Sequence, residues 1–116
     1  MLKNSSSKKD KEDDNVLNRI VQRLIEQLEP DLIYLFGSRG RGESDQNSDF
    51  DLLVIVPSST LPRYKRNIKA FKALEGMGIS KDVIVLTRSE FEKQTSVICS
   101  LPATVIREGR LIHERS

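Results

Sequence analysis

Two aspartates, Asp49 and Asp51, stand at the start of an apolar run that continues to Val56. Side chains two positions apart on a strand point to the same face, so the two carboxylates are expected to lie close together. Neighbouring carboxylates repel each other unless a cation lies between them. The spacing therefore predicts a metal site at the beginning of this strand.

The segment before these acids is a polar turn that contains Gly37, Ser38, Arg39 and Arg41. Glycines allow a tight turn and the close approach of a ligand, and backbone N–H groups together with arginines attract anions. The segment lacks the Gly-Lys-Ser/Thr ending of a Walker A loop. A metal beside an anion-binding turn indicates a nucleoside triphosphate as the ligand.

Short apolar runs alternate with helical patterns along the chain, which favours an α/β domain with a single sheet. An amphipathic pattern begins after a cap at Asp14 or Asn15 and ends at Pro30. The four predicted strands are Leu32–Phe36, Phe50–Val56, Lys81–Leu86 and Leu111–Ile112, the last at a sheet edge. Shorter helices are predicted to begin at Ser89 and at Pro102.

Another helix is predicted after Pro62, with a stop at Gly76 or Gly78. Its apolar stripe is expected to pack on the sheet and consists of Tyr64, Ile68, Phe71 and Leu74. Its basic face is expected to be solvated and consists of Arg63, Lys65, Arg66, Lys69 and Lys72. A basic face also suits an acidic partner or RNA, although no interleaved aromatic residues support base stacking.

The 116 residues suffice for one small domain, and the formal net charge of +2 gives no general argument for nucleic-acid or membrane binding. Residues 1–14 are almost entirely polar and are expected to form a disordered tail, which leaves 15–116 as the domain. The chain has a single cysteine, Cys99, which is expected to fill core space. Without a membrane-spanning run or a signal peptide, a cytoplasmic protein is expected.

Gly37-Ser38, followed after ten residues by Asp49-x-Asp51 and later by an acid that opens a strand, resembles the signature of the polymerase-β-type nucleotidyltransferases. The segments Lys81–Thr87 and Arg107–Leu111 are similar to those of the minimal nucleotidyltransferase (MNT) proteins. Many MNT proteins are antitoxins that transfer AMP to a tyrosine of a HEPN ribonuclease toxin. The resemblance extends from about Asn15 to Glu114 and implies a polymerase-β-like core, a small mixed sheet packed on amphipathic helices.

The resemblance also implies roles for individual residues. Asp49, Asp51 and Asp82 would hold two Mg²⁺ ions, and Asp82 would help to accept the proton of the attacking hydroxyl. Glu90 and Asp45 are weaker alternatives as the third acid. The phosphate-binding residues implied for the ATP substrate are Gly37, Ser38, Arg39 and, less directly, Arg41.

Three functions agree with this sequence. The first is a Mg²⁺-dependent transferase that moves AMP from ATP to a hydroxyl of a HEPN partner, with nucleic acid not expected as a direct substrate. The second is a binding module that neutralises its partner by masking a surface, as a homo- or hetero-oligomer. The third is nucleotidyl transfer to a small molecule, which is disfavoured because related enzymes use an additional helical domain for that acceptor.

Overall fold

The computed structural model describes residues 8–37, 49–97 and 100–115 and has the α/β architecture that the sequence predicts. The elements follow one another in the chain as α1 (Lys8–Leu28), β1 (Leu32–Phe36), β2 (Phe50–Val56), α2 (Arg63–Ala73), β3 (Lys81–Thr87), α3 (Arg88–Thr95), α4 (Leu101–Glu108) and β4 (Arg110–Glu114). The predictions for Ser38, Arg39, Arg41, Asp45, Cys99 and residues 1–7 lie outside the described residues.

The four strands form one mixed sheet with the order β3-β2-β1-β4. Strand β1 is antiparallel to β2 and to β4, whereas β2 and β3 are parallel. The prediction that the last strand lies at an edge is confirmed, and β3 forms the other edge. The parallel pair β2–β3 is joined by α2, which is the type of crossover that parallel strands require.

One face of the sheet is covered by α1 and α2. Alternate residues of β1, β2 and β3 point to this face and form the larger core with Leu17, Ile20 and Leu24 of α1. Helix α1 begins at Lys8, earlier than the predicted cap at Asp14 or Asn15. Residues 8–14 contain no Gly or Pro, and each residue added to an existing helix gains a backbone hydrogen bond.

In the part of the chain that the structure describes, the short helices α3 and α4 pack on the opposite face. Phe91 of α3 and Val105 of α4 pack against Leu53, Ile55 and Leu86 of the sheet. A capping box between Thr87 and Glu90 begins α3, and Ser100 caps α4. Tyr34, Phe36 and Ile84 lie on the same face and are partly buried against this cluster.

The position of α2 in the chain is confirmed, but of the predicted apolar stripe only Leu74 is buried. Tyr64, Ile68 and Phe71 are exposed, whereas Arg66, Ala70 and Leu74 are buried. The small side chain of Ala70 lets the helix approach the sheet closely. The three large side chains are consequently turned outward, and Arg66, expected on the solvated face, points inward.

Arg66 and its neighbour Asn67 bind the exposed edge of β3. The Arg66 guanidinium donates to the Val85 carbonyl at 3.1 Å, and the Val85 N–H donates to the Asn67 side-chain oxygen at 2.8 Å. Unpaired backbone groups on an edge strand can template pairing with another chain. The Arg66 and Asn67 side chains therefore satisfy the backbone N–H and carbonyl of Val85 and cover part of the edge of β3.

Glu90 completes the network on the other side of Arg66. Its carboxylate accepts hydrogen bonds from Arg66 at 2.7 and 3.1 Å and from the Thr87 N–H at 2.9 Å. The hydrogen bonds from Arg66 are the main cause that lowers the pKa of Glu90 to about 2. Glu90 lies at the end of β3 remote from Asp82, so the suggestion that it is an alternative metal ligand is wrong.

We expect the Arg66–Glu90 pair to contribute stability that is lost in acid. Because the pKa of Glu90 is lowered from 4.5 to about 2 on folding, its contribution is complete above pH 4.5 and disappears as the pH falls towards 2. Since the Glu90 side chain is 32% exposed, the loss should be only about 1–2 kcal/mol.

Urea unfolding of wild type and Glu90→Gln between pH 2 and pH 7 measures this contribution. The unfolding free energies of the two proteins should be similar near pH 2, move apart as the pH rises, and differ by a constant amount above pH 4.5. Glu92→Gln, an exposed change on the same helix, is the control and should follow wild type at each pH. A difference in unfolding free energy between Glu90→Gln and wild type that stays the same from pH 2 to pH 7 would contradict the lowered pKa of Glu90.

Candidate active site

The predicted acids Asp51 and Asp82 lie near the start of β2 and β3, on the sheet face against which α3 and α4 pack. Asp51 and Asp82 are direct neighbours in the parallel register of β2 and β3, and both share a face with Leu53 and Ile84. Asp49 lies one residue before β2 and is exposed. The alternation of side chains along two adjacent strands therefore brings the Asp51 and Asp82 positions together.

Burial and neighbouring negative charges both disfavour the ionised form of the Asp51 carboxyl. Partial burial raises the pKa of Asp51, and the negative charges of Asp82 and then Asp49 raise it further. Within the described residues, no Lys or Arg forms an ion pair with any of the three. The site thus concentrates negative charge that a cation would neutralise.

These donors fit Mg²⁺ better than a cation that needs a closed set of protein ligands. In residues 8–37, 49–97 and 100–115, no group of three or more Asp, Glu, His or Cys side chains is arranged to hold a metal by itself. Mg²⁺ commonly keeps several waters and binds through one or two carboxylates plus substrate phosphates. The adjacent Asp51 and Asp82, with Asp49 beside them, supply such a partial set of hard oxygen ligands.

Gly37 lies directly against the Asp51 carboxylate. Phe36, the preceding residue, pairs with Asp51 in the antiparallel register of β1 and β2, and Gly37 follows β1 with φ at 71°. A Cβ atom at this position would overlap Asp51 Oδ2 and lie 3.3 Å from its Cγ. Sequence reasoning assigned Gly37 to phosphate binding and missed this contact, which depends on strand register.

The fold and this acidic site together define a polymerase-β-like nucleotidyltransferase core. Residues 17–112 match the family model for the nucleotidyltransferase domain. The chain belongs to the nucleotidyltransferase domain family. The comparison with curated proteins finds no match.

Solved structures with the same fold include toxin–antitoxin proteins. A toxin–antitoxin structure with AMP-PNP is 26% identical over 86% of this chain and 74% of that chain, with a TM-score of 0.62. An MntA–HepT structure carries two Asp-to-Glu substitutions two positions apart. It is 25% identical over 86% of this chain and 74% of that chain, with a TM-score of 0.61. A putative nucleotidyltransferase from Sulfolobus solfataricus shares the fold, with a TM-score of 0.55. It is 21% identical over 87% of this chain and 86% of that chain.

No described helix is both long enough and apolar enough to cross a membrane.

We expect Gly37→Ala to impair nucleotidyl transfer far more than it impairs folding. Alanine at a positive φ costs about 1 kcal/mol, and its methyl group would also displace the Asp51 carboxylate. Gly78 is a matched control, because its φ is 69° and a Cβ atom added there would have no neighbour within 4 Å.

Thermal unfolding and transfer rate should be measured for Gly37→Ala and Gly78→Ala. Both variants should lose similar stability, whereas only Gly37→Ala should lose about tenfold or more in rate, equivalent to about 1.4 kcal/mol. Equal rates for the two variants would show that the position of the Asp51 carboxylate does not limit the reaction.

Proposed function

We propose that this protein is a Mg²⁺-dependent adenylyltransferase that moves AMP from ATP to a hydroxyl group, most simply a tyrosine of a HEPN toxin partner. The observation that carries the proposal is the placement of Asp51 and Asp82 side by side near the start of the parallel strands β2 and β3, with Asp49 adjacent.

The comparisons support the nucleotide and the acids in different ways. One toxin–antitoxin neighbour contains AMP-PNP, an ATP analogue, which supports ATP as the substrate here. Another carries substitutions of two aspartates with the same two-residue spacing as Asp49 and Asp51. A protein partner is supported because both neighbours are toxin–antitoxin structures.

In the proposed reaction, Asp51 and Asp82, with Asp49 beside them, would hold Mg²⁺ together with the phosphates of ATP, and Asp82 would accept the proton of the acceptor hydroxyl. When bound, Mg²⁺ would polarise the α-phosphate and lower the pKa of that hydroxyl. The hydroxyl oxygen forms a bond to the α-phosphorus, the bond to the β-phosphate oxygen breaks, and pyrophosphate leaves. The protein mainly provides positioning and charge stabilisation.

The direct test uses Mg²⁺, ATP labelled on the α-phosphate and the protein encoded by the neighbouring reading frame. Wild type should transfer label to that protein, and transfer should stop on chelation of the metal. Asp49→Asn combined with Asp51→Asn supplies the background. Transfer by wild type no greater than this background would refute the proposed reaction with that acceptor.

A non-catalytic antitoxin that masks its partner is the second candidate, and the exposed apolar side chains of α2 favour it. The same double variant distinguishes the two functions in cells that produce the toxin. Protection that survives the loss of both aspartates supports masking, whereas protection that disappears supports neutralisation by AMP transfer.

A further inference from the structure

Helix α2 exposes a stripe of large apolar side chains. Tyr64, Ile68 and Phe71 are 63%, 50% and 37% exposed and lie on one side of the helix at intervals of four and three residues. Single exposed apolar residues are ordinary, but a row of three that includes two aromatic residues is typical of interaction sites. We call these three residues the α2 stripe.

Basic side chains border the α2 stripe. Those exposed on the helix itself are Arg63, Lys65, Lys69 and Lys72. The Lys81 ammonium lies 5.8 Å from the centre of the Phe71 ring. Ile68, Phe71 and Lys81 line a shallow groove of about 380 Å³, whose lining also includes Lys72 and Glu75. The surface therefore combines an apolar centre with a predominantly positive rim.

The α2 stripe ends near the start of β3, at the sheet edge one residue from Asp82, whose side chain points to the opposite face of the sheet from α2. Lys81, which contacts Phe71, is the first residue of β3, and the next residue is Asp82. Because β3 is an edge strand, no further strand separates α2 from the sheet face that carries Asp82. A partner bound along the stripe would thus extend past the edge towards the carboxylates.

We propose that the α2 stripe docks an acidic amphipathic helix of the protein that supplies the acceptor hydroxyl. This inference rests on the proposed function, since it names the surface that holds the acceptor. Apolar residues of the partner helix would contact Tyr64, Ile68 and Phe71, and its acids would face the basic rim. Aromatic residues at the centre with charges around them are the usual anatomy of protein interfaces.

A protein helix suits this surface better than RNA or a lipid membrane. RNA binding would use the lysines but would leave the apolar centre without a complementary surface. A lipid membrane presents a flat surface, whereas Ile68 and Phe71 line a groove of about 380 Å³, which suits a convex partner. A helix of mixed apolar and acidic character matches both parts of the surface.

Ile68→Ser tests the α2 stripe, and Ile106→Ser is its matched control. Both isoleucines lie on helices and both are 50% exposed, so the two changes should cost similar stability. Both should be made in the Asp49→Asn, Asp51→Asn double variant and studied without ATP. Binding is then measured independently of transfer, so a failure of this proposal is distinguishable from a failure of the proposed function.

Binding should be measured by calorimetry with the purified neighbouring-frame protein, with phosphatidylcholine–phosphatidylserine vesicles and with a poly(U) oligonucleotide. Ile68→Ser should weaken protein binding at least about tenfold and Ile106→Ser less than about twofold. Lys65→Glu with Lys69→Glu should also weaken it. The proposal is overturned if the neighbouring-frame protein does not bind, or if Ile68→Ser binds it as tightly as Ile106→Ser does. It is also overturned if Ile68→Ser weakens binding only to vesicles or to RNA.

Discussion

Replacing Asp51 with asparagine is expected to lower the rate of AMP transfer by at least about a thousandfold, a loss of about 4 kcal/mol of transition-state stabilisation. Asparagine keeps the size of the side chain but removes the charge and one of the two anionic oxygens that would bind Mg²⁺. Of the three acids, Asp51 is the one that lies between Asp82 on β3 and Gly37 at the end of β1. Its loss should affect the whole site.

The same substitution should leave the fold as stable as wild type or more stable. Folding raises the pKa of Asp51, so its ionised form is held less favourably in the folded protein than in the unfolded chain. Such a group destabilises the fold at neutral pH, and the cost falls as the pH drops through its folded-state pKa. Removing the charge removes this cost, as expected for a residue that serves activity rather than stability.

Single-turnover transfer and thermal unfolding of Asp51→Asn, measured together, check both expectations. Glu92→Gln also removes one carboxylate charge, but from an exposed position on α3, and should match wild type in both assays. A large loss of melting temperature in Asp51→Asn would mean that Asp51 has a structural role. Unchanged transfer would exclude it as a ligand of the reactive metal.

The shared face of Asp51 and Asp82 on the sheet was predictable because these residues follow a local rule. Asp51 and Asp82 each open a continuous apolar strand, and the alternation of side chains fixes the face to which each points. What the sequence could not provide was the register between strands. The contact between Gly37 and Asp51 depends on Phe36 pairing with Asp51, a choice made by the packing of the whole sheet.

The orientation of α2 was not predictable from periodicity, because the helix has two candidate buried faces. The face with Tyr64, Ile68 and Phe71 is more hydrophobic, yet the face with Arg66 and Ala70 is buried. The edge of β3 favours the observed orientation, since Arg66 and Asn67 form hydrogen bonds with the backbone of Val85 there. A hydropathy pattern does not reveal this hydrogen-bonding requirement, because it exists only for a strand that lies at the edge of a sheet.

Arg66→Met is therefore expected to destabilise the protein by about 2–4 kcal/mol, because it leaves a buried backbone carbonyl unpaired and breaks a partly exposed ion pair with Glu90. Four hydrogen bonds from the guanidinium would be lost, to Leu61, to Val85 and twice to Glu90. Methionine fills much of the same volume, so the loss reports the polar network rather than a cavity. The Val85 carbonyl would be left buried without its partner.

Urea unfolding at pH 7 measures the effect, and Arg63→Met, an exposed arginine on the same helix, is the control. Arg66→Lys should recover only part of the lost stability, because an ammonium group cannot make the two parallel hydrogen bonds to the Glu90 carboxylate. Combining Arg66→Met with Glu90→Gln should cost less than the sum of the two single changes, since the second substitution removes a charge already without its partner. Additive losses, or a loss below about 1 kcal/mol for Arg66→Met, would mean that burial of Ala70 and Leu74 alone holds α2 against the sheet.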